Sequence, residues 1–212
     1  MKTNMTARPI HGLTTALAAA ALLAVGCTAD LNTGPVTTPS ERLTEANRLV
    51  TQGIAAQHEG KLDTAADFYK RSIELNPNAP MAWNNLGTVL MTQGHYLDAA
   101  AALKRAAEVN PDPHDPRAFE NLGLVYYNAG FAEQSLQYYE MALDRDANWV
   151  PALRGTALAA RKLNKSDERL ADVMRRGLMI ETDPKWREVF QRERVRIEGA
   201  LREQEKARAS GN

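Results

Sequence analysis

Two places in the 212-residue chain hold side chains whose type and spacing could do chemistry. One is Cys27, the only cysteine. Without a second thiol an intramolecular disulfide is impossible, and a lone thiol exposed after export would oxidise, so a sulfur that carries another group explains the residue best. The other is Asp112-Pro113-His114-Asp115-Pro116, which sets an imidazole between two carboxylates. These donors suit a divalent metal, yet three residues in a proline-rich turn share no rigid face, and neither a metal nor a cofactor is expected. Asp115 before Pro116 reads more simply as a helix N-cap followed by proline in the first turn. Motifs of the forms G-x-S-x-G, H-E-x-x-H and G-x4-G-K-[ST] do not occur.

Cys27 ends a distinctive leader. Lys2 and Arg8 form a positive start, and Leu13 to Val25 is an apolar run of 13 residues, shorter than the roughly 20 needed to span a bilayer. The run closes in Ala24-Val25-Gly26-Cys27. This resembles the lipobox of bacterial lipoproteins, whose peptidase cuts before a cysteine that carries the lipid; Ala24 departs from the leucine the family prefers. The resemblance implies lipidation at Cys27. Thr28, where a protein kept at the inner membrane usually has Asp, implies a place on the outer membrane facing the periplasm. An ordinary signal cleaved after Gly26 or Ala29, with a soluble product, is the other reading. Residues 1–26 are therefore read as signal and 27–40 as lipidated cysteine and tether, since Thr28 to Ser40 is rich in Thr, Pro, Gly and Asn without helical or strand periodicity.

Composition bounds the rest. A quarter of the residues are charged, the mean hydropathy of −0.43 suits a soluble body, and three Trp, four Phe and six Tyr suffice for a core. Removing Lys2 and Arg8 with the leader leaves 24 basic against 26 acidic side chains, so the totals do not point to a nucleic-acid face.

The elements that must position any site are best seen in Pro80 to Pro111. Trp83, Leu86, Gly87, Ala99, Ala106 and Pro111 recur at spacings that resemble the tetratricopeptide repeat, a 34-residue helix–turn–helix unit, with Leu90 and Leu103 in place of the usual Tyr and Phe. Gly87 and Ala99 let two helices approach while Trp83, Leu86, Leu90 and Leu103 fill the space around them; Gly94 ends the first helix and Pro111 the second. Counting 34 back, Gly53, Gly60, Ala65 and Pro77 fall at matching offsets, with Leu49 for Trp83 and Tyr69 for Leu103. Gln52 stands where leucine is usual and weakens that end of the core. Counting forward, the Pro-rich turn lengthens the glycine spacing to 36, after which Phe119, Leu122, Gly123, Tyr126, Gly130, Tyr139 and Ala142 follow, with Ser135 and Ala147 replacing Ala and Pro.

Repeats are assigned at 46–79, 80–115, 116–149 and, in degenerate form, 150–183, within an array over 41–184. Residues 185–212 form a capping helix and tail: Trp186, Val189, Phe190, Ile197 and Leu201 lie near one stripe, and interleaved charges cover the rest. The expected fold is all-α, a solenoid of antiparallel helix pairs wound as a right-handed superhelix, in which each pair is stabilised by its neighbours.

The resemblance implies protein–protein binding in a concave groove lined by the first helices. Its groove positions are Asn47, Val50, Thr51, Ile54 and Gln57 in the first repeat, Met81, Asn84, Asn85, Thr88 and Met91 in the second, and Arg117, Glu120, Asn121, Leu124 and Tyr127 in the third. Asn85 and Asn121 are equivalent, and some family members use such an asparagine ladder to grip an extended backbone. Members that clamp a carboxylate need Lys and Asn where Val50 and Ile54 stand, so that specificity is not expected.

His58, His95 and His114 fall in different repeats and no segment remains for a catalytic domain, so the chain is not read as an enzyme. It is expected to be a lipid-anchored scaffold of the cell envelope that binds envelope proteins or peptides and not nucleic acid, with self-association open. Its layout is similar to that of pilus-biogenesis lipoproteins, the pilotins and the tight-adherence repeat lipoprotein. A scaffold for peptidoglycan enzymes and a soluble exported ligand-binding protein are the alternatives.

Overall fold

The computed structural model describes residues 38–211, which belong to a single unit, Thr37–Asn212. The signal, Cys27 and the tether up to Thr37 lie outside the described residues. Among the described residues there are nine helices and no strand: α1 (Pro39–His58), α2 (Leu62–Leu75), α3 (Pro80–Thr92), α4 (Tyr96–Val109), α5 (Arg117–Asn128), α6 (Ala132–Leu143), α7 (Val150–Leu163), α8 (Glu168–Ile180) and α9 (Pro184–Ser210).

The first helix starts two residues before the expected Glu41. A capping box sets the start: Thr38 Oγ1 accepts the Glu41 amide at 3.2 Å, and Glu41 Oε2 accepts the Thr38 amide at 2.6 Å. Thr38-Pro39-Ser40-Glu41 carries this signature within a run otherwise read as tether.

Four identical turns fix the register of the array. The amides of Lys61, His95, Phe131 and Lys165 reach back to the carbonyls of Ala56, Leu90, Tyr126 and Ala160 at 2.9, 2.9, 2.9 and 3.0 Å. Each closure needs a left-handed residue just before it. Gly60, Gly94 and Gly130 supply it at φ of 74°, 82° and 92°, and Asn164 at 49°. Asparagine tolerates this conformation better than other side chains because its short amide can bond locally. Asn164 lies 34 residues after Gly130, so the fourth unit keeps the repeat length although its glycine is gone.

Within a unit, the small residue of the first helix meets one large residue of the second. A Cβ on Gly53 would lie 2.5 Å from the Tyr69 ring, one on Gly87 2.5 Å from Leu103, and one on Gly123 2.6 Å from the Tyr139 ring. Tyr69, Leu103 and Tyr139 are accordingly buried, in three successive clusters of the core. The N-terminal unit is the weak one. Gln52 occupies the place taken by buried Leu86 and Leu122 in the next repeats, and its Oε1 is buried without a hydrogen-bond partner. Gln52→Leu is expected to stabilise the protein by about 1–2 kcal/mol, because the desolvation cost of an unpaired carbonyl disappears. Equilibrium denaturation in urea reads this directly; a lower midpoint would show that the amide is satisfied in solution.

Adjacent first helices touch, α1 against α3, α3 against α5 and α5 against α7, whereas the second helices α2, α4, α6 and α8 make no such contact with one another. Closer spacing on one side curves the array, with the first helices on its inner face. At the far end α9 buries Phe190 and Ile197, and Gly177 lets the Phe190 ring approach α8. The buried stripe also contains Glu193, which pairs with Arg196 at 2.8 Å. Arg196 in turn donates to Asn164 Oδ1, Ser166 Oγ and the Lys165 carbonyl, joining the last helix to the fourth turn.

Candidate partner-binding groove

The inner face is built by α1, α3, α5 and α7, and the predicted groove residues must be judged by what they touch there. Val50 is only 6% exposed and belongs to the core around Tyr69 and Leu86, so it is no groove residue. A β-branched side chain at that position turns into the seam with the next repeat, where burial outweighs display. Ile54 and Met91 are half-buried against the same kind of seam. Thr88 and Leu124 are likewise half-buried, Asn47 and Thr51 are exposed, and Met81, 50% exposed, stands at one rim.

The two equivalent asparagines have different partners within the protein. Asn121 Nδ2 donates to Asn84 Oδ1 at 3.0 Å, a bond that links the second and third repeats. Asn85 instead lies beside the Tyr69 hydroxyl, which donates to Gln57 Oε1 at 3.0 Å. The cause is the Tyr69 ring: its length carries a hydroxyl to the groove floor, where it holds Gln57 and Asn85, whereas Leu103, at the same offset one repeat later, brings no polar tip. The sequence reading treated Tyr69 and Tyr139 as core, but a phenol at a buried position must bring its oxygen to some polar edge.

Between the second and third repeats, Met81, Asn84 and Arg117 come together in a narrow cleft with Asn110 and Asp115. Arg117 is not free to bind. Its guanidinium grips Asp115 at 2.7 to 3.1 Å, and the Arg117 amide donates to Asp115 Oδ1 at 3.0 Å. The Arg117 guanidinium is the chief reason that the Asp115 carboxyl falls to about 2. The N-cap of α5 is Pro116, one residue later than the sequence places it; Asp115, just before it, accepts the first amide of the helix and also pairs with the groove's arginine. His114 is exposed, with its amide on Asp112 Oδ1. Among the described residues no three His, Cys, Asp or Glu side chains come together to hold a metal.

Glu120 is the exception among the charged groups. It is half-buried on α5, and burial pushes its carboxyl up to about 7. Its charge also raises the Tyr139 phenol, after the larger effect of that ring's own burial. Toward α7, Lys162 Nζ sits 5.1 Å over the Tyr127 ring, a cation–π contact that occupies this lysine. Lys162 lies one position past the usual groove set and was not found from the sequence; a basic side chain four residues or fewer from a helix end facing an aromatic is the only trace it leaves.

The fold agrees with comparisons to known proteins. The tetratricopeptide repeat pattern matches residues 84–149, and a second pattern of the same repeat matches residues 58–94. Residues 58–149 thus carry the tetratricopeptide repeat pattern. Among curated relatives, small glutamine-rich tetratricopeptide repeat-containing protein 2 of Mycosarcoma maydis is 26% identical over 126 residues, covering 59% of this chain and 35% of the relative. Photosystem I assembly protein Ycf3 of Prochlorococcus marinus subsp. pastoris is 32% identical over 109 residues, covering 48% of this chain and 62% of the relative. The chain therefore spans between about a third and under two thirds of the length of these relatives. Among solved structures, the first tetratricopeptide-repeat domain of Spaghetti (RPAP3), bound to the HSP90 peptide SRMEEVD, superposes with a TM-score of 0.55 at 20% identity, covering 58% of this chain and 96% of that one. The described residues share the helix-pair architecture of that domain.

Proposed function

We propose that the protein is a tetratricopeptide adaptor displayed in the bacterial cell envelope, anchored by lipid on Cys27 and binding segments of other envelope proteins in its groove. The observation that carries the binding half is the inner face: neighbouring first helices in contact, offering half-buried Ile54, Thr88, Met91 and Leu124 beside the amides of Asn84, Asn85 and Asn121. Apolar contact with amide hydrogen bonds suits an extended or helical segment of protein better than a small polar solute. The name of the photosystem I assembly protein supports an assembly role for a repeat array of this kind. Assembly of a pilus or secretion machine is the form of that role most consistent with a lipid-tethered array. No helix among the described residues is long and apolar enough to cross a membrane, so attachment in this proposal rests on Cys27.

The test compares wild type with Cys27→Ala by intact mass and membrane fractionation, after crosslinking in cells. The wild type is expected to carry acyl mass, to sediment with membranes and to capture envelope proteins that the variant loses. An unmodified Cys27 in a soluble wild type overturns the anchor. Capture of the same proteins by wild type and by a variant with a blocked groove overturns the binding half.

A further inference from the structure

Among the predicted groove residues only Arg117 and Glu120 carry charge, and they differ in one respect. Arg117 is paired with Asp115 through Nε and Nη2. Arg154, the corresponding charge on α7, is engaged by Glu181 at 2.7 Å, and Lys162 by the Tyr127 ring. The Glu120 side chain has no hydrogen bond and no ion pair among the described residues. Among the predicted groove residues the one charge without a partner is therefore a carboxylate, half-buried on α5 beside Tyr139. A carboxylate placed like this lacks both the water of an exposed site and the partner of a buried one, so a cation that reaches it gains more than it would at the open surface.

We propose that the groove recognises a lysine or arginine side chain in the bound protein segment, and that Glu120 is the residue that selects it. This rests on the groove reading above and names the chemistry of its occupant. Leu124 and Tyr127, four and seven residues further along the same face of α5 and half-buried, offer apolar surface for the aliphatic stem of such a side chain. Desolvation of the carboxyl supports the assignment, since a carboxyl whose ionisation is disfavoured by burial is one that an arriving cation can ionise more fully. The preference is opposite to that suited to an acidic peptide such as SRMEEVD, which the Spaghetti domain holds. Here the positions that would meet acidic groups are Val50, buried, Ile54, apolar, and Arg117, already neutralised.

A random peptide library displayed against the full-length chain tests the assignment, with the seat of each selected peptide located by its effect on the backbone NMR signals of Thr88, Asn121 and Leu124. Selected peptides are expected to share one Lys or Arg at a fixed place. Replacing it by Met, or making Glu120→Gln, should each weaken binding about tenfold or more, with no further loss when the two are combined. Glu120→Lys should select Asp or Glu at that place. Glu120→Gln preserves size and removes a destabilising charge, so the variant remains folded. Peptides that seat in the groove without a common basic residue, or that bind Glu120→Gln as well as wild type, overturn the selection of a cation and leave the groove standing. If no selected peptide perturbs those signals, the groove reading falls and this inference with it.

Discussion

Gly155→Ala is expected to destabilise the protein by about 2–3 kcal/mol, although alanine is the better helix former by about 1 kcal/mol. A Cβ at Gly155 would lie 2.2 Å from Cζ and 2.3 Å from Cε1 of Tyr139. Retreat is blocked, because the same ring already lies against Gly123 on the preceding first helix, where a Cβ would stand 2.6 Å from Cδ1. The ring is thus clasped between two glycines on consecutive first helices, and one added methyl must push apart the third and fourth units. Gly199→Ala on α9 is the matched control: nothing lies within 4 Å of its Cβ position, so only the propensity gain remains and stability should rise by about 0.5–1 kcal/mol. Adding Tyr139→Leu to Gly155→Ala should recover part of the loss, since Leu103 fills the equivalent place where Asn121 stands in the next helix. Urea unfolding of the four proteins decides the matter; equal stability of Gly155→Ala and wild type would mean that the ring moves aside freely.

A second large effect is expected from Arg154→Ala, about 3 kcal/mol. Glu181, 4% exposed, accepts two hydrogen bonds from the Arg154 guanidinium at 2.7 and 2.8 Å and one each from the Thr182 and Asp183 amides at 2.9 Å. Arg154 lies over the Trp186 ring as well, 5.2 Å from its centroid, so one side chain joins α7, the α8–α9 corner and the capping helix. Its removal leaves a buried carboxylate with two amides alone. The pH response gives the sign. The Arg154 guanidinium is the main cause that lowers the Glu181 carboxyl from 4.5 to about 2, so the stabilisation is present in full above about 4.5 and is lost as pH falls through about 2. The deficit of Arg154→Ala relative to wild type should therefore narrow steadily from pH 5 toward pH 2. Adding Glu181→Gln should restore part of it at neutral pH. A deficit that stays constant with pH would assign the loss to packing on Trp186 and not to charge.

Much of the architecture was legible because the repeat imposes its spacing on residues with few substitutes. Gly94 had to be a residue able to turn left, and Gly87 one without a side chain opposite Leu103, so both positions announced themselves. Legibility failed where another residue type met the same need. Asn164 closes the fourth turn as glycine closes the others, and Gly155 answers a ring 16 residues earlier rather than a repeat offset, so the fourth unit read as decayed when its turn is intact.

The groove was harder to read than the scaffold. Offsets place a side chain on a face, but partnership decides whether it is available, and partners come from other repeats. Val50 was drawn into the core, Asn121 was taken by Asn84, and Arg117 by Asp115 two residues before it. The last of these was local enough to be foreseen. The Asn84 bond spans 37 residues, and no local pattern carries it.

The unequal spacing of first and second helices has a mechanical consequence. Each second helix packs on the next first helix, and first helices touch one another, whereas second helices do not, so the array can bend by parting its outer faces while its inner layer keeps its contacts. Curvature can change by widening or narrowing the outer gaps, with little side-chain contact broken there, while the Asn84–Asn121 link and the clasped Tyr139 hold their distances. Stiffness is therefore concentrated at the surface that meets a partner, and compliance at the surface that does not. A long partner segment can be followed by the array without loosening the residues that read it.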